Sequence, residues 1–551
     1  MSRSAVELSG VPDSVYHWIA GELVVVIRLP RRPPDDALDT LAEQVRSQLN
    51  HFLAPHGLIL ETYGTMGRWL NRPSLPTARR HVFIFGLHRQ QPLAAIFFHA
   101  RHSDPSVPDA APMAISYLQG QLERLAQIGL YLVSAMPNWL VGAAPAFYAD
   151  GGPAVPPRPA RQLDLPPTRD TSDGWHLSFL DPAIAFDPNG AQNVVVAVLD
   201  TAPTSNQLYR AASLPELSQH WLIQRLVADM QSGSGSFEIE YDRYPVLNDV
   251  GTGRNAQGAP YYYRMQDHGL FVAGLIRDVA PRAHIRLIRV LNDFGGGDLY
   301  NLFAALTDLE QELVSGSIRR LVINLSLTTL PDIHRLPYVW FYQRQWSSSQ
   351  LMGAIRMLAH IEAGLQLLFE SLSAHGVLIV AAAGNDSLGA QTQGQLPRPP
   401  RAPARYPTTL SVTAVNSRFA PARFANAACM PPLNAGVATF GGDSVGVTDS
   451  NGLPEAVRGI FISSTFPEGE PNIFGWADWS GSSFATPIIS GLGAHFLAQG
   501  WSAANTITRF SMGLGRRSEQ LFGSRLDVPS LLANGVRVRQ QFYAPSTKEL
   551  S

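Results

Sequence analysis

From Val194 onward the chain repeats a pattern that few folds satisfy. Short, largely apolar runs at Val194–Leu199, Ile285–Leu291, Leu321–Leu327, Val377–Ala383 and Leu410–Val415 are separated by stretches of helical periodicity such as Leu351–Leu372. A strand that is apolar at successive positions is buried on both faces, the mark of a parallel sheet covered by helices. Alternation with helices predicts an α/β fold, a doubly wound, mostly parallel sheet with helices on both faces. No internal repeat is evident.

The first 150 or so residues read differently, as a smaller α+β domain. Strands are expected at Glu22–Leu29, Leu58–Tyr63, Val82–Leu87 and Leu130–Val133. Leu38, Leu41, Ala42, Val45, Leu49, Phe52 and Leu53 lie on one face of a helix capped by Asp35 or Asp36 and ended by Gly57. A second helix is expected over about Pro112–Gln127. Two β-α-β-type units on one sheet give a ferredoxin-like arrangement. Residues 151–174, with six prolines between Pro153 and Pro167, read as a linker to a domain spanning 175–551.

Composition narrows the function classes. The 42 basic and 44 acidic side chains give a net charge of -2, which argues against a nucleic-acid binder held by phosphate contacts. The single cysteine, Cys429, excludes an internal disulfide and reads as a small buried hydrophobe. The run Leu23–Ile27 is too short for the core of a secretion signal, and no apolar run approaches the roughly 20 residues of a membrane span. A cytoplasmic protein with no membrane span is expected.

Four residues carry candidate chemistry. Asp200 ends the first buried strand, where open α/β sheets place functional groups, though alone it reads equally as a turn cap. His268, in Asp267-His268-Gly269-Leu270-Phe271-Val272-Ala273-Gly274, would by itself be structural. Asn385 follows Ala381-Ala382-Ala383-Gly384 as either a turn residue or an amide donor to a developing oxyanion. Ser483 sits in Gly481-Ser482-Ser483-Phe484-Ala485-Thr486-Pro487, a small-residue turn leading into the apolar run Ile488–Leu497. That places its hydroxyl at a helix N-terminus, beside free N–H groups and the positive end of the helix dipole.

In that order these residues resemble the subtilisin-like serine proteases, the subtilase family, over about Trp175–Leu532. Supporting pieces are Ala280-Pro281, Val322-Ile323-Asn324-Leu325-Ser326-Leu327 and Tyr406-Pro407. The order acid, His, Ser differs from the α/β-hydrolases, and Ala485 stands where their Gly-x-Ser-x-Gly motif needs glycine.

The resemblance implies an endopeptidase acting on polypeptide substrates through an acyl-enzyme. Ser483 would be nucleophile, His268 general base and acid, Asp200 its partner, and Asn385 an oxyanion donor. Ser326, Leu327, Ala383 and Gly384 would border the cleft and pair with an extended peptide. It also implies that the N-terminal domain is a ferredoxin-like prodomain acting as an intramolecular inhibitor. Ala135-Met136-Pro137-Asn138-Trp139-Leu140 resembles the end of such prodomains, with a segment between about Val141 and Asp173 crossing or leaving the cleft.

Departures from the family pattern are Ala202, Leu270, Phe271, Thr328 and Thr329, where local repacking and a narrower cleft are expected. Asp386 would either favour a basic P1 residue or be a solvated turn residue. Insertions at 204–265 and 331–350 are large; the first includes a helical pattern from Leu214 to Leu226, and the second holds Tyr338, Trp340, Phe341, Tyr342 and Trp346, as a lid or a packed loop. No cofactor is expected: no carboxylate-rich calcium loop is visible, although family members often bind structural calcium, and the 15 histidines show no zinc-type spacing. Two alternatives remain on the same residues, a catalytically silent peptide-binding or adaptor protein and an esterase.

Overall fold

The computed structural model describes residues 18–62, 81–143, 156–160, 175–177, 191–232, 236–244, 246–247, 263–329, 336–341, 347–387, 397–416, 420–428, 436–443, 455–511, 534–535 and 538–540. They form two compact units. The first takes in residues up to Val141 together with Gly297–Ser317 and Thr329–His375. The second takes in Gly142–Gly296, Ile318–Thr328 and the chain from Gly376.

In the first unit, Trp18–Arg28 lies between Tyr131–Ala143 and Leu93–His102, antiparallel to both. Leu93–His102 carries two strands end to end on its other edge: Leu58–Thr62 against Phe98–His102, and Val82–Phe85 against Leu93–Ile96. Apart from the added Val82–Phe85 strand, this is the strand order of a ferredoxin-like unit. The helix Leu38–Leu53 buries Ala42, Val45, Leu49 and Leu53, the stripe its periodicity predicts, and Gly57 follows at φ 70° after a short 3-10 turn. The second expected helix is interrupted at Gly120–Gln121, giving Ala111–Gln119 and Leu122–Gln127. The last strand runs ten residues beyond the expected Val133, to Ala143.

Sheet and helices of this unit interlock through side chains. Phe83 and Phe97 stand edge-on to Tyr300 at 5.4 and 5.3 Å, and Phe85 meets Phe303 at 6.1 Å, which seats the helix Leu299–Val314 on the sheet. Such edge-to-face pairs add to area burial. A Cβ on Gly364, in the helix Ala363–Ala374, would stand 2.6 Å from Val26, so that helix approaches the sheet as closely as backbone allows. Trp340 of the aromatic insertion packs on Trp18 and Trp139 at 5.7 and 6.4 Å; it is packed on the body. Tyr342 and Trp346 lie outside the described residues. The expected single helix Leu351–Leu372 is two, Ser348–Leu358 and Ala363–Ala374, joined by a 3-10 turn. Taken as one run, Ser348–Ala374 is long and apolar enough by length and composition to cross a membrane, unlike the sequence reading. Leu365, Leu368, Phe369 and Leu372 in it are buried.

The second unit is built on an eight-stranded sheet. Its order is Asn534–Gly535, Gly436–Phe440, Thr409–Val415, Leu378–Ala382, Leu321–Leu325, Val195–Asp200, His284–Arg289, Phe237–Glu240, and every neighbouring pair is parallel. All five apolar runs lie in it, so the doubly wound α/β expectation holds. The helices His268–Val279 and Ser482–Ala498 are buried along nearly their whole length, consistent with apolar residues all round rather than on one stripe. The Leu214–Leu226 pattern covers the turn that follows the helix Ser205–Ser213 and the first half of the helix Trp221–Gln231; Thr204 caps the helix Ser205–Ser213 with Gln207 in a capping box. Within the linker, Arg158–Pro159 forms a short strand against Ala477–Asp478; residues 151–155 and 161–174 lie outside the described residues, as does Cys429.

Candidate active site

Each of the four chemistry-bearing residues sits at the end of a strand or the start of a helix in the second unit. Asp200 is the last residue of the central strand Val195–Asp200, fully buried. Its Oδ1 accepts from the Thr201 N–H at 2.6 Å and from His268 Nδ1 at 2.8 Å. A carboxylate can only accept, so the imidazole carries its proton on Nδ1 and presents Nε2 as the basic nitrogen.

Two neighbours fix this pair. The Thr201 hydroxyl donates to the Met265 carbonyl at 3.0 Å and accepts from the Gly269 N–H at 3.0 Å, tying the strand end to the helix start. A Cβ on Gly269 would collide with the Thr201 carbonyl oxygen and approach Asp200 Cβ to 2.9 Å. The His-Gly dipeptide is therefore a packing requirement. Asp267, immediately before His268, is buried and accepts from the Ser463 N–H at 2.8 Å; burial pushes its carboxyl up to about 6.

Ser483 is the second residue of the helix Ser482–Ala498. Its carbonyl accepts from Ser326 Oγ at 2.7 Å, while its own hydroxyl donates to the Ser326 carbonyl at 3.4 Å. The Ser482 N–H donates to Asn385 Oδ1 at 2.9 Å, and Ser482 Oγ accepts from the Gly384 N–H at 3.3 Å. Engaging Oδ1 this way fixes which end of the Asn385 amide is the donor. Two hydrogen-bonded groups result, Asp200 with His268 and Asn385 with the residue before Ser483; the Phe484 ring, next to Ser483, packs 5.3 Å from the His268 ring. His268 Nε2, however, is buried with no hydrogen-bond partner, so the imidazole and the Ser483 hydroxyl are not bonded to each other in this structure. Nucleophile–base contacts are commonly longer before substrate binds.

An aromatic wall surrounds the imidazole. Trp479 and Phe484 each stand 5.3 Å from the His268 ring, and Phe271 packs on Phe484 at 4.7 Å. The departure at Phe271 is accommodated by Gly459, where a Cβ would lie 2.7 Å from the ring. Neither this wall nor the roles of Thr201 and Ser482 were identified from the sequence; the signal available was position alone, beside Asp200 and Ser483.

The expected cleft residues are placed as follows. Ser326 and Leu327 are fully buried, with Ser326 against Ser483 as described. The Ala383 N–H donates to Val412 and the Gly384 N–H to Ser482, so both donors serve the protein's own framework and this segment offers a wall more than a pairing edge. Gly384 has φ 108°, a conformation few side chains tolerate. Asp386 is part-buried and paired: Arg401 binds it through two contacts of 2.8 Å, and Asn426 Nδ2 donates to it at 2.9 Å. Its charge is matched by Arg401. Among the described residues one cluster of metal-type ligands occurs, His88, Glu310 and His375, in the first unit.

Comparison with known proteins fits this geometry. The model of the subtilase family (peptidase S8) matches residues 191–511. A solved structure described as "Crystal Structure of a Lanthipeptide Protease" is similar at 19% identity and a TM-score of 0.35, covering 63% of this chain and 86% of that one. None of the curated proteins compared matches. With more than half its length matched by that family, and with the parallel sheet described above, the chain belongs to the subtilase family of serine peptidases.

Proposed function

We propose that the chain is an endopeptidase in which Ser483 attacks the peptide carbonyl, His268 takes its proton and returns it to the leaving amine, and Asp200 holds the imidazole and stabilises its charged form. The observation that carries this reading is the buried 2.8 Å bond between His268 Nδ1 and Asp200 Oδ1, which leaves Nε2 as the base. Asn385 and the Ser483 N–H would receive the oxyanion at the start of a helix whose dipole favours negative charge.

In this reading the N-terminal domain is an intramolecular inhibitor, and the chain is a zymogen. Support comes from how that domain engages residues 297–317 and 329–375 inside one compact unit. Glu310 accepts from the Gly86 and Leu87 N–H groups at 3.1 Å, Ser134 Oγ donates to the His360 carbonyl at 3.0 Å, and Asn138 Nδ2 donates to Asp298 at 3.1 Å. Such a domain is removed by cleavage, expected between Val141 and Asp173. Mass analysis of the purified chain tests this: a wild-type product starting in that interval, absent from Ser483→Ala, is expected, and an intact wild-type chain under conditions that support peptide hydrolysis contradicts it.

The second reading, a silent peptide-binding subtilase, draws on the missing bond between His268 Nε2 and Ser483. Hydrolysis of a peptide library by wild type but not by Ser483→Ala separates the two, and comparison of peptide with ester turnover addresses esterase activity.

A further inference from the structure

Far from Ser483 in sequence, the first unit gathers a second set of reactive side chains. Glu310 is on the helix Leu299–Val314, His375 caps the end of the helix Ala363–Ala374, and His88 follows the strand Val82–Phe85. One ligand atom from each lies within 4.8 Å of the others. Glu310 is fully buried, His375 is part-buried and His88 is exposed. His375 Nε2 has no hydrogen-bond partner although it is buried and only 3.3 Å from Glu310 Oε1. The distance is short but the alignment is wrong for an N–H···O bond.

We propose that His88, Glu310 and His375 form a divalent-metal site suited to Zn²⁺. Two imidazole nitrogens and a carboxylate are the borderline ligand set that zinc takes, with bonds of about 2.0–2.2 Å. Two such ligands on one tetrahedral ion stand about 3.3 Å apart, which matches the separation of His375 Nε2 and Glu310 Oε1. The carboxylate is pre-oriented: the Gly86 and Leu87 N–H groups and the Ser371 hydroxyl all donate to Glu310 Oε1. Such bonds hold a ligand in place. His88 Nδ1 lies 3.3 Å from Ser371 Oγ, at the rim of the same group, and a small turn of this exposed side chain completes three ligands. A fourth position on the solvent side remains for water. The site joins the Gly86–His88 turn to two helices, so the bound ion acts as a clasp. Sequence spacing gave no sign of it because the ligands come from three separate segments.

The test is Zn²⁺ titration of the metal-free 551-residue chain at neutral pH by calorimetry, with Co²⁺ absorption as a readout of coordination. The expected result is a single equivalent of Zn²⁺ bound, a raised thermal midpoint, and a tetrahedral Co²⁺ spectrum. His88→Gln and His375→Gln should each weaken binding by more than about 10-fold, since losing even an outer-shell partner of a metal ligand costs about 10–100-fold. His88 is exposed, so His88→Gln keeps the test valid if His375→Gln folds poorly. Failure to bind a stoichiometric ion, or binding unchanged in both variants, overturns the proposal.

Discussion

At position 269 a side chain has no room: a Cβ would meet the Thr201 carbonyl oxygen and Asp200 Cβ. Gly269→Ala must push the His268 helix away from the strand that carries Asp200. Overpacking of this kind costs about 1–3 kcal/mol, and a misplacement of about 1 Å can cost about 10²-fold in rate. The expected outcome is a folded protein with a lowered thermal midpoint and at least that loss in kcat/KM; an unchanged kcat/KM would mean that the Asp200–His268 pair does not set the rate. Ser483→Ala is the sharper case. In subtilisin itself, the worked example for this triad, losing the nucleophile removes about 10⁶ of rate, and a similar loss of peptide hydrolysis is expected here. The residue scale was also the most legible. Asp200, His268, Asn385 and Ser483 could be singled out because together, and in that order, they resemble the subtilase pattern; alone, Asp200 and Asn385 read equally as turn residues and His268 as structural. Thr201, Ser482 and the Trp479–Phe484 wall could not, because their roles depend on contacts between residues far apart in the chain, from Thr201–Met265 to His268–Phe484.

At the scale of elements, one buried cap makes a helix start sensitive to pH. His220 precedes the helix Trp221–Gln231, and its Nδ1 accepts from the Ile223 N–H at 3.2 Å while its ring stacks on Trp476 at 3.9 Å. Only a neutral imidazole can accept there, and burial lowers its pKa from 6.5 to about 3. The unfolded chain therefore binds the extra proton first as pH falls. The contribution to stability is complete above the unfolded value of 6.5 and is lost progressively toward about 3. Thermal midpoints measured through that window should fall more steeply for wild type than for His220→Asn, which keeps a capping acceptor without the titration; parallel curves would contradict the assignment. In the other unit, Glu310→Ala leaves the Gly86 and Leu87 N–H groups without their acceptor. A loss of about 1–3 kcal/mol, with faster hydrogen exchange at those two amides, is expected.

The elements themselves were only partly legible. Periodicity placed the helix Leu38–Leu53 and the buried strands of the parallel sheet. It missed Leu93–His102, the strand that pairs with three others in its sheet. It also merged helices where an apolar stripe continued through a turn, at Gly120 and at Ala359–Glu362, and ran the turn near Leu217 into the helix Trp221–Gln231. Breaks of that kind are set by packing at the turn, which local pattern does not encode.

For the whole molecule, the informative fact is that the compact units are not continuous in sequence. Residues 297–317 and 329–375, which lie within the family match, cluster with the N-terminal sheet. If that sheet restrains the enzyme, loosening its grip should raise activity before any cleavage. Gly364 is the place to do it, since a Cβ there would stand 2.6 Å from Val26 and 3.0 Å from Met136. Gly364→Leu should weaken the hold by about 1–3 kcal/mol, roughly a 5–150-fold change in population. Peptide hydrolysis by the uncleaved variant should exceed that of uncleaved wild type; equal or lower activity in a folded variant would count against autoinhibition. The interleaving could not be read from the linear order, which shows a proline-rich boundary near residue 151 and nothing that marks 297 or 375.

The central claim is that Ser483 is an activated nucleophile. A fluorophosphonate reacts only with such a serine, so the decisive measurement is labelling of the chain followed by peptide mapping. A single adduct on Ser483, abolished by His268→Ala, is predicted; no adduct, or one on another residue that survives His268→Ala, would contradict the account.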